Sequence, residues 1–274
     1  MRRLCKPAVL LTAVLSLFCF PTWGQKPLSA RDELNLGVQA YRQARFEAAI
    51  EHFKNATSLE PGLVVAHLYL ATAFAQRYIP GADTVESIHM GEQAIEEYKR
   101  VLDLDPNSPS ASDAVKGIAS LYFNMKKFDD SKRYHKLAIE RDPNDPEEHY
   151  ALGVIDWALA YTVRMTRRAE PDLESQPPLI NEPACSEVRK ANEGTVEEGI
   201  AELAQALKLR PDYDDAMAYM NLLYRERAEI QCGDAAGYAA DLKKADEWVD
   251  LTMATKKAKA DRARSGVSAQ PETR

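Results

Sequence analysis

The stretch LGVQAYRQARFEAAIEHFKNATSLEP, residues 36–61, sets a pattern that the rest of the chain repeats. Its landmarks are Leu36-Gly37, an aromatic at Phe46, then Ala49-Ile50-Glu51-His52-Phe53 and Leu59-Glu60-Pro61. The ending returns as Ala94-Ile95-Glu96-Glu97-Tyr98 with Leu104-Asp105-Pro106, and as Ala138-Ile139-Glu140-Arg141-Asp142-Pro143. It returns once more as Ala206-Leu207-Lys208-Leu209-Arg210-Pro211, so four prolines close four similar units. With insertions set aside, the period is about 34 residues, the length of one helix-turn-helix. Small side chains at Gly37, Ala49 and Ala56 let two helix backbones approach, and the large apolar ones fill the layer between successive hairpins.

These residues resemble the tetratricopeptide repeat over about residues 30–255. The first unit matches at Leu36, Gly37, Ala49, Phe53, Ala56 and Pro61; the third at Ile118, Ala119, Tyr122, Phe128, Ala138 and Pro143, with Ser131 in place of an alanine. The fourth matches at Leu152-Gly153, Gly199-Ile200, Leu203, Ala206 and Pro211, and the degenerate fifth at Met220-Asn221, Tyr224, Ala245, Val249 and Thr252. The resemblance implies an all-α fold: a right-handed superhelix of about five helical hairpins, each with a helix A and a helix B. No hairpin buries its apolar face alone, so neighbours must stack.

Extra residues sit between helix A and helix B in three units: about 11 within 77–90, about 34 within 163–194, and about 12 near 230–240. The longest contains Pro171, Pro177, Pro178 and Pro183, and reads as an irregular loop. In a solenoid every A-to-B turn leaves the same edge, so the enlarged loops should cluster there as a second candidate binding surface. Asp145-Pro146-Glu147-Glu148 reads as a helix start, and Thr195-Val196-Glu197-Glu198 as a capping box that begins helix B of the fourth unit. From Leu242, a stripe of Ala245, Trp248, Val249 and Met253 should close the solenoid beneath a polar outer face, and 256–274 reads as a disordered basic tail.

Composition narrows the function. Hydrophobic residues make up 45% and charged residues 28%, as in a soluble globular protein. The net charge is -7, and the first 24 residues hold Arg2, Arg3 and Lys6 but no acid. The remainder is more acidic still, which argues against a nucleic-acid partner, whose phosphates reward basic surfaces. Two arginines, an apolar run over 7–20 and Thr22-Trp23-Gly24 read as a signal peptide over 1–24, with a mature domain from Gln25 and no stable membrane span after cleavage. Phe18 before Cys19 argues against a lipid anchor. The expected location is therefore periplasmic or secreted. Cys185 and Cys232 remain in the mature chain, on neighbouring enlarged turns, and an oxidising compartment favours one disulfide over two buried thiols.

The resemblance also implies a concave groove lined by helix A. Carried across, the candidates are Leu34, Val38, Tyr41 and Arg42; Leu68, Thr72 and Gln76; Lys116, Ser120, Phe123 and Asn124; Tyr150, Val154 and Trp157; and Leu222 and Arg225. The expected occupant is a peptide or helix of a protein partner, although Phe123, Tyr150 and Trp157 have a blander reading as rings packed on one another. Relatives that grip the acidic C-termini of heat-shock chaperones carry a lysine and an asparagine where Leu34 and Val38 stand, so no carboxylate clamp is expected. Catalytic motifs are absent, the five histidines have no ligand spacing, and the Asp103-Leu104-Asp105 turn lacks the glycine and final glutamate of a calcium loop. Neither metal nor cofactor is expected. An enzyme hidden in the long insertion would bring Cys185 but no histidine. The expectation is a non-catalytic scaffold or adaptor of the cell envelope or secreted space; the alternative is a structural, self-associating subunit.

Overall fold

The computed structural model describes residues 27–82, 84–170 and 182–264, and among them all regular structure is helical. Ten helices run in order: α1 (Ala30–Arg42), α2 (Phe46–Leu59), α3 (Val64–Arg77), α4 (Val85–Leu104), α5 (Pro109–Asn124), α6 (Phe128–Arg141), α7 (Pro146–Arg168), α8 (Glu182–Leu209), α9 (Asp214–Glu229) and α10 (Ala235–Arg264). Each odd helix packs on its even partner and on the even helix before it. Contacts α1–α3, α3–α5 and α7–α9 place the odd helices in one row. That is a solenoid of five hairpins.

Local chemistry fixes the ends. Ser29 and Asp32 form a reciprocal capping box on α1, Ser108 caps α5 ahead of Pro109, and Asp145 caps α7 ahead of Pro146 by accepting from the Glu147 amide at 2.9 Å. Small residues stand where A crosses B: a Cβ on Gly37 would lie 2.4 Å from Phe53, and one on Gly153 would lie 2.4 Å from Leu203. Glycine is thus required for close approach, not for backbone freedom.

The apolar core falls into two clusters. One runs from Ala40 through Phe53, Leu70, Tyr98 and Ile118 to Tyr122; the other gathers Val196, Leu203, Ala206, Met220 and Leu223. Between them α6 meets α7 and α8 through polar groups. His135 Nδ1 lies 2.6 Å from Glu148, and Lys132 Nζ reaches Asp156 at 2.5 Å and Glu198 at 2.8 Å. Lys136 also binds Glu198, at 2.8 Å. Histidines hold neighbouring helices elsewhere too: His52 meets Glu33, and His67 and His149 each bridge a carboxylate (Glu97, Glu202) and the carbonyl of a repeat-closing proline, Pro61 or Pro143.

The structure corrects four expectations. The fourth insertion is largely helix: α7 continues to Arg168 and α8 already begins at Glu182, leaving only 171–181 outside the described residues. Thr195 lies inside α8 and starts nothing, because the upstream turns bury Ala184, Cys185 and Val188, and the buried Asn192 side chain donates to Ala160 O at 2.8 Å. Similarly, α10 absorbs 235–240 and runs on to Arg264, tied down by Lys259 on Asp214 at 2.5 Å, so 256–264 is helix and not tail. Its buried stripe is Asp241, Ala245 and Thr252 with Trp248 beside them, while Val249 and Met253 are exposed. Ala245 and Trp248 thus belong to the packing face as expected, while Asp241 and Thr252 take the places expected of Val249 and Met253, because polar side chains carry part of that face. Residues 1–24 and 265–274 lie outside the described residues.

Cys185 and Cys232 are bonded, with Cα atoms 5.4 Å apart. The bond ties the first turns of α8 to the α9–α10 turn, next to Val188 and Ile230.

Candidate functional site

On the row of odd helices, α5, α7 and α9 enclose a cavity of about 370 Å³. Helix α5 supplies Ser120, Phe123 and Asn124, spaced to share one face, and α7 supplies Tyr150, Ala151 and Val154 at the same kind of spacing. Tyr219 of α9 closes the far side, and His135 reaches in from α6.

Aromatic rings continue from the cavity along α7. Tyr150 stands 4.9 Å from Tyr213 and 5.7 Å from Tyr219, centroid to centroid. Trp157 lies 5.4 Å from Tyr219 and 5.4 Å from Tyr161. Such pairs contribute roughly 0.5–1.5 kcal/mol beyond their area burial, so the rings arrive already positioned. The row is pinned at one end by Arg164, which lies over the Tyr161 ring and holds Glu226 in two bonds of 2.7 Å. At the other end the Tyr213 hydroxyl donates to Glu147, which Arg210 also engages at 2.6 Å. Burial pushes the Tyr150 and Tyr213 phenols up, so both are neutral hydroxyls at physiological pH.

The structure gathers Ser120, Phe123, Asn124, Tyr150 and Val154 of the sequence candidates into this cavity, with Trp157 one turn on. Part of the blander reading also holds, since Tyr150 and Trp157 do pack on rings, yet both stay half-buried along the groove. The other candidates do not join them. Leu34, Val38, Tyr41 and Leu68 pack against the first core cluster, Thr72 donates to Leu68 O at 2.8 Å, and Gln76 and Arg42 are exposed near the end of the row. Lys116 is held by Asp145 at 2.5 Å, and Arg225 by Asn221 at 2.9 Å and Asp246 at 2.8 Å. Tyr219, Tyr161 and His135 were missed. Tyr219 was within reach, because it precedes Leu222 by three positions and so shares its helix face.

This arrangement offers flat apolar surfaces for side chains, and Ser120 and Asn124 for the polar backbone of a bound chain. Among the described residues no group of three or more His, Cys, Asp or Glu converges as a metal would need. No described helix is long and apolar enough to cross a membrane.

Residues 117–145, spanning the second half of α5 and all of α6, match the tetratricopeptide repeat family model. The fold is a tetratricopeptide-repeat solenoid. Solved structures of the same architecture include MamA, at 14% identity over 88% of this chain and 98% of that chain with a TM-score of 0.57. The MamA fragment from Desulfovibrio magneticus RS-1 gives 14% over 84% and 96%, with a TM-score of 0.56. YrrB, described as a TPR protein with an unusual peptide-binding site, gives 15% over 84% and 92%, with a TM-score of 0.52. At these identities the likeness speaks to the fold alone. No curated protein matches the sequence.

Proposed function

We propose that this tetratricopeptide solenoid is a non-catalytic scaffold or adaptor that holds a segment of another protein across the α5–α7–α9 face, in the cell envelope or secreted space. The observation that carries the reading is the cavity of about 370 Å³, with Phe123, Tyr150 and Tyr219 partly exposed inside it. Half-exposed aromatics held in fixed positions are the usual anchors of protein recognition. The signal-like start of the chain and the Cys185–Cys232 bond are what one expects of an exported protein, because disulfides persist in oxidising compartments.

The test is crosslinked capture from an envelope fraction with the intact mature chain and with Tyr150→Ala/Trp157→Ala. Partner yield should drop about tenfold or more, as loss of aromatic hot spots gives, while far-UV circular dichroism stays unchanged. Full retention of the partner by the double variant sinks the groove reading. A second reading, the self-associating subunit, draws on Val249, Leu251 and Met253, which are exposed on α10 at the open end of the stack. Sedimentation at micromolar concentration separates the two: a monomer removes the second.

A further inference from the structure

We propose that the pocket between the α3–α4 and α5–α6 turns is a second docking site, for an acidic peptide segment carrying one large apolar side chain. The pocket measures about 310 Å³. Its walls include the apolar parts of Tyr78, Ile88 and Met125, with Lys126 and Lys127 on one side and Glu92 on the other.

The site is built rather than incidental. Ser87 Oγ accepts from the Ile79 amide at 2.9 Å and donates to the Ile79 carbonyl at 3.2 Å, which fixes the α3–α4 turn. The Tyr78 hydroxyl donates to Asn124 O at 3.2 Å, so the two turns are tied across the pocket. Gly91 lets its walls close up: a Cβ there would stand 2.2 Å from Met125 Cε and 3.0 Å from the Tyr78 ring. A ligand would find these walls already in place and bear little ordering cost.

Charge chooses the occupant. Lys126 and Lys127 are exposed, and neither enters an ion pair among the described residues. Ile88 in the pocket wall is 44% exposed, and Ile79 in the α3–α4 turn and Val85 at the start of α4 are exposed at 61% and 85%, apolar surface that water disfavours. Two free ammonium groups at the mouth of an apolar recess complement a carboxylate next to an aliphatic or aromatic anchor. A recess favours an inserted side chain over a flat lipid surface. Glu92, of opposite sign on the facing wall, supplies an internal control.

The experiment is fluorescence anisotropy on the full mature chain with the labelled peptide Glu-Glu-Phe-Glu-Glu, its lysine counterpart Lys-Lys-Phe-Lys-Lys, and a version with Gly for Phe. Only the first should bind well. Lys126→Gly/Lys127→Gln should weaken it about tenfold and Glu92→Gln tighten it about threefold, opposite shifts of the size exposed charges give. Because Lys126 has φ +57°, glycine there relieves strain, so weaker binding without a lower melting temperature separates charge from folding. Tyr150→Ala/Trp157→Ala should bind the peptide unchanged; loss there means that the peptide occupies the groove and overturns the separate site. Equal binding of the lysine peptide, no binding of the acidic one, or capture by phosphatidylserine vesicles in its place also overturns the proposal.

Discussion

In the first and third hairpins three residues, 43–45 and 125–127, suffice to turn from helix A to helix B, and stacked apolar side chains from Ala40 to Tyr122 hold the units together. In the fourth and fifth hairpins the helices run to 23, 28 and 30 residues, and covalent and ionic ties supplement a smaller apolar cluster. Arg164 and Arg168 reach from α7 to Glu226 and Glu229 at the end of α9, and the disulfide fastens α8 to the turn that follows. The repeat unit is the same; what differs is how neighbours are held. Stacking alone lets a solenoid open and close from its ends, since each unit depends only on the next. The C-terminal hairpins escape that rule, and they carry the aromatic row. A rigid platform is what partly exposed rings need if they are to bind without reordering.

Breaking the covalent tie should have the largest effect. The bond closes a loop of 47 residues, for which chain entropy gives roughly 3–4 kcal/mol. Cys185→Ala/Cys232→Ala should lose that much in urea unfolding. Hydrogen exchange should rise in the first turns of α8 and the end of α9 while α1–α4 stay protected. A uniform loss of protection across all ten helices would mean that the two halves do not differ in the way described.

The seam between the halves should respond to pH. Asp156 is fully buried, and desolvation lifts its carboxyl to about 6 against the ordinary 3.8, even with Lys132 beside it. The folded state therefore keeps a proton that the unfolded chain releases. Its contribution to stability should fall as pH rises from about 4 to about 6 and level off above that. Two pH units correspond to about 3 kcal/mol. Lys132 is held above its ordinary 10.5 and titrates far from this window, whereas Glu198, held below its ordinary 4.5 by its bonds to Lys132 and Lys136, works the other way near the acid end, where the unfolded chain takes up its proton first. Asp156→Asn should remove that contribution, so that urea midpoints at pH 7 gain relative to those at pH 4.5 when compared with the parent chain. An unchanged difference would place the titrating group elsewhere.

What could be read in advance follows the same division. The small residues at Gly37, Ala49 and Gly153 and the cap at Asp145 report contacts within one repeat, so periodicity alone reveals them. The disulfide was legible because neighbouring turns share an edge. The long helices were not, since they leave the repeat: Ala184, Cys185, Val188, Asn192 and Val196 are buried at helical spacing, but the prolines before them and the local capping chemistry of Thr195 spoke louder. In the groove, Phe123, Tyr150 and Trp157 follow from the unit's register, whereas Tyr219 in the degenerate fifth repeat takes one further step, its helix face shared with Leu222. Lys116 and Arg225 looked available on the sequence and are spoken for by Asp145 and Asp246, partners that only tertiary packing brings near.

The smallest effect sharpens the comparison at its N-terminal side. Both three-residue turns pass through the left-handed region on a residue with a Cβ, Ala44 at φ +56° and Lys126 at φ +57°. A side chain there costs roughly 1 kcal/mol, a cost that glycine escapes. Ala44 is exposed and its amide already donates to Tyr41 O at 2.9 Å, so glycine would keep the turn and lose no packing. Against that gain stands the wider freedom of glycine in the unfolded chain, which offsets part of it. Ala44→Gly should therefore raise stability by about 0.5 kcal/mol, read as a slightly higher melting temperature. Because the first hairpin is tied to its neighbour mainly by stacking, with one exposed ion pair (Arg77 to Glu47) and the His67 contact to Pro61 O beside it, the gain should appear as slower exchange in α1 and α2 and leave α8–α10 untouched. Slower exchange in the far hairpins would show that stacking transmits stability along the whole row, and that the ties at the C-terminal end do not set it apart.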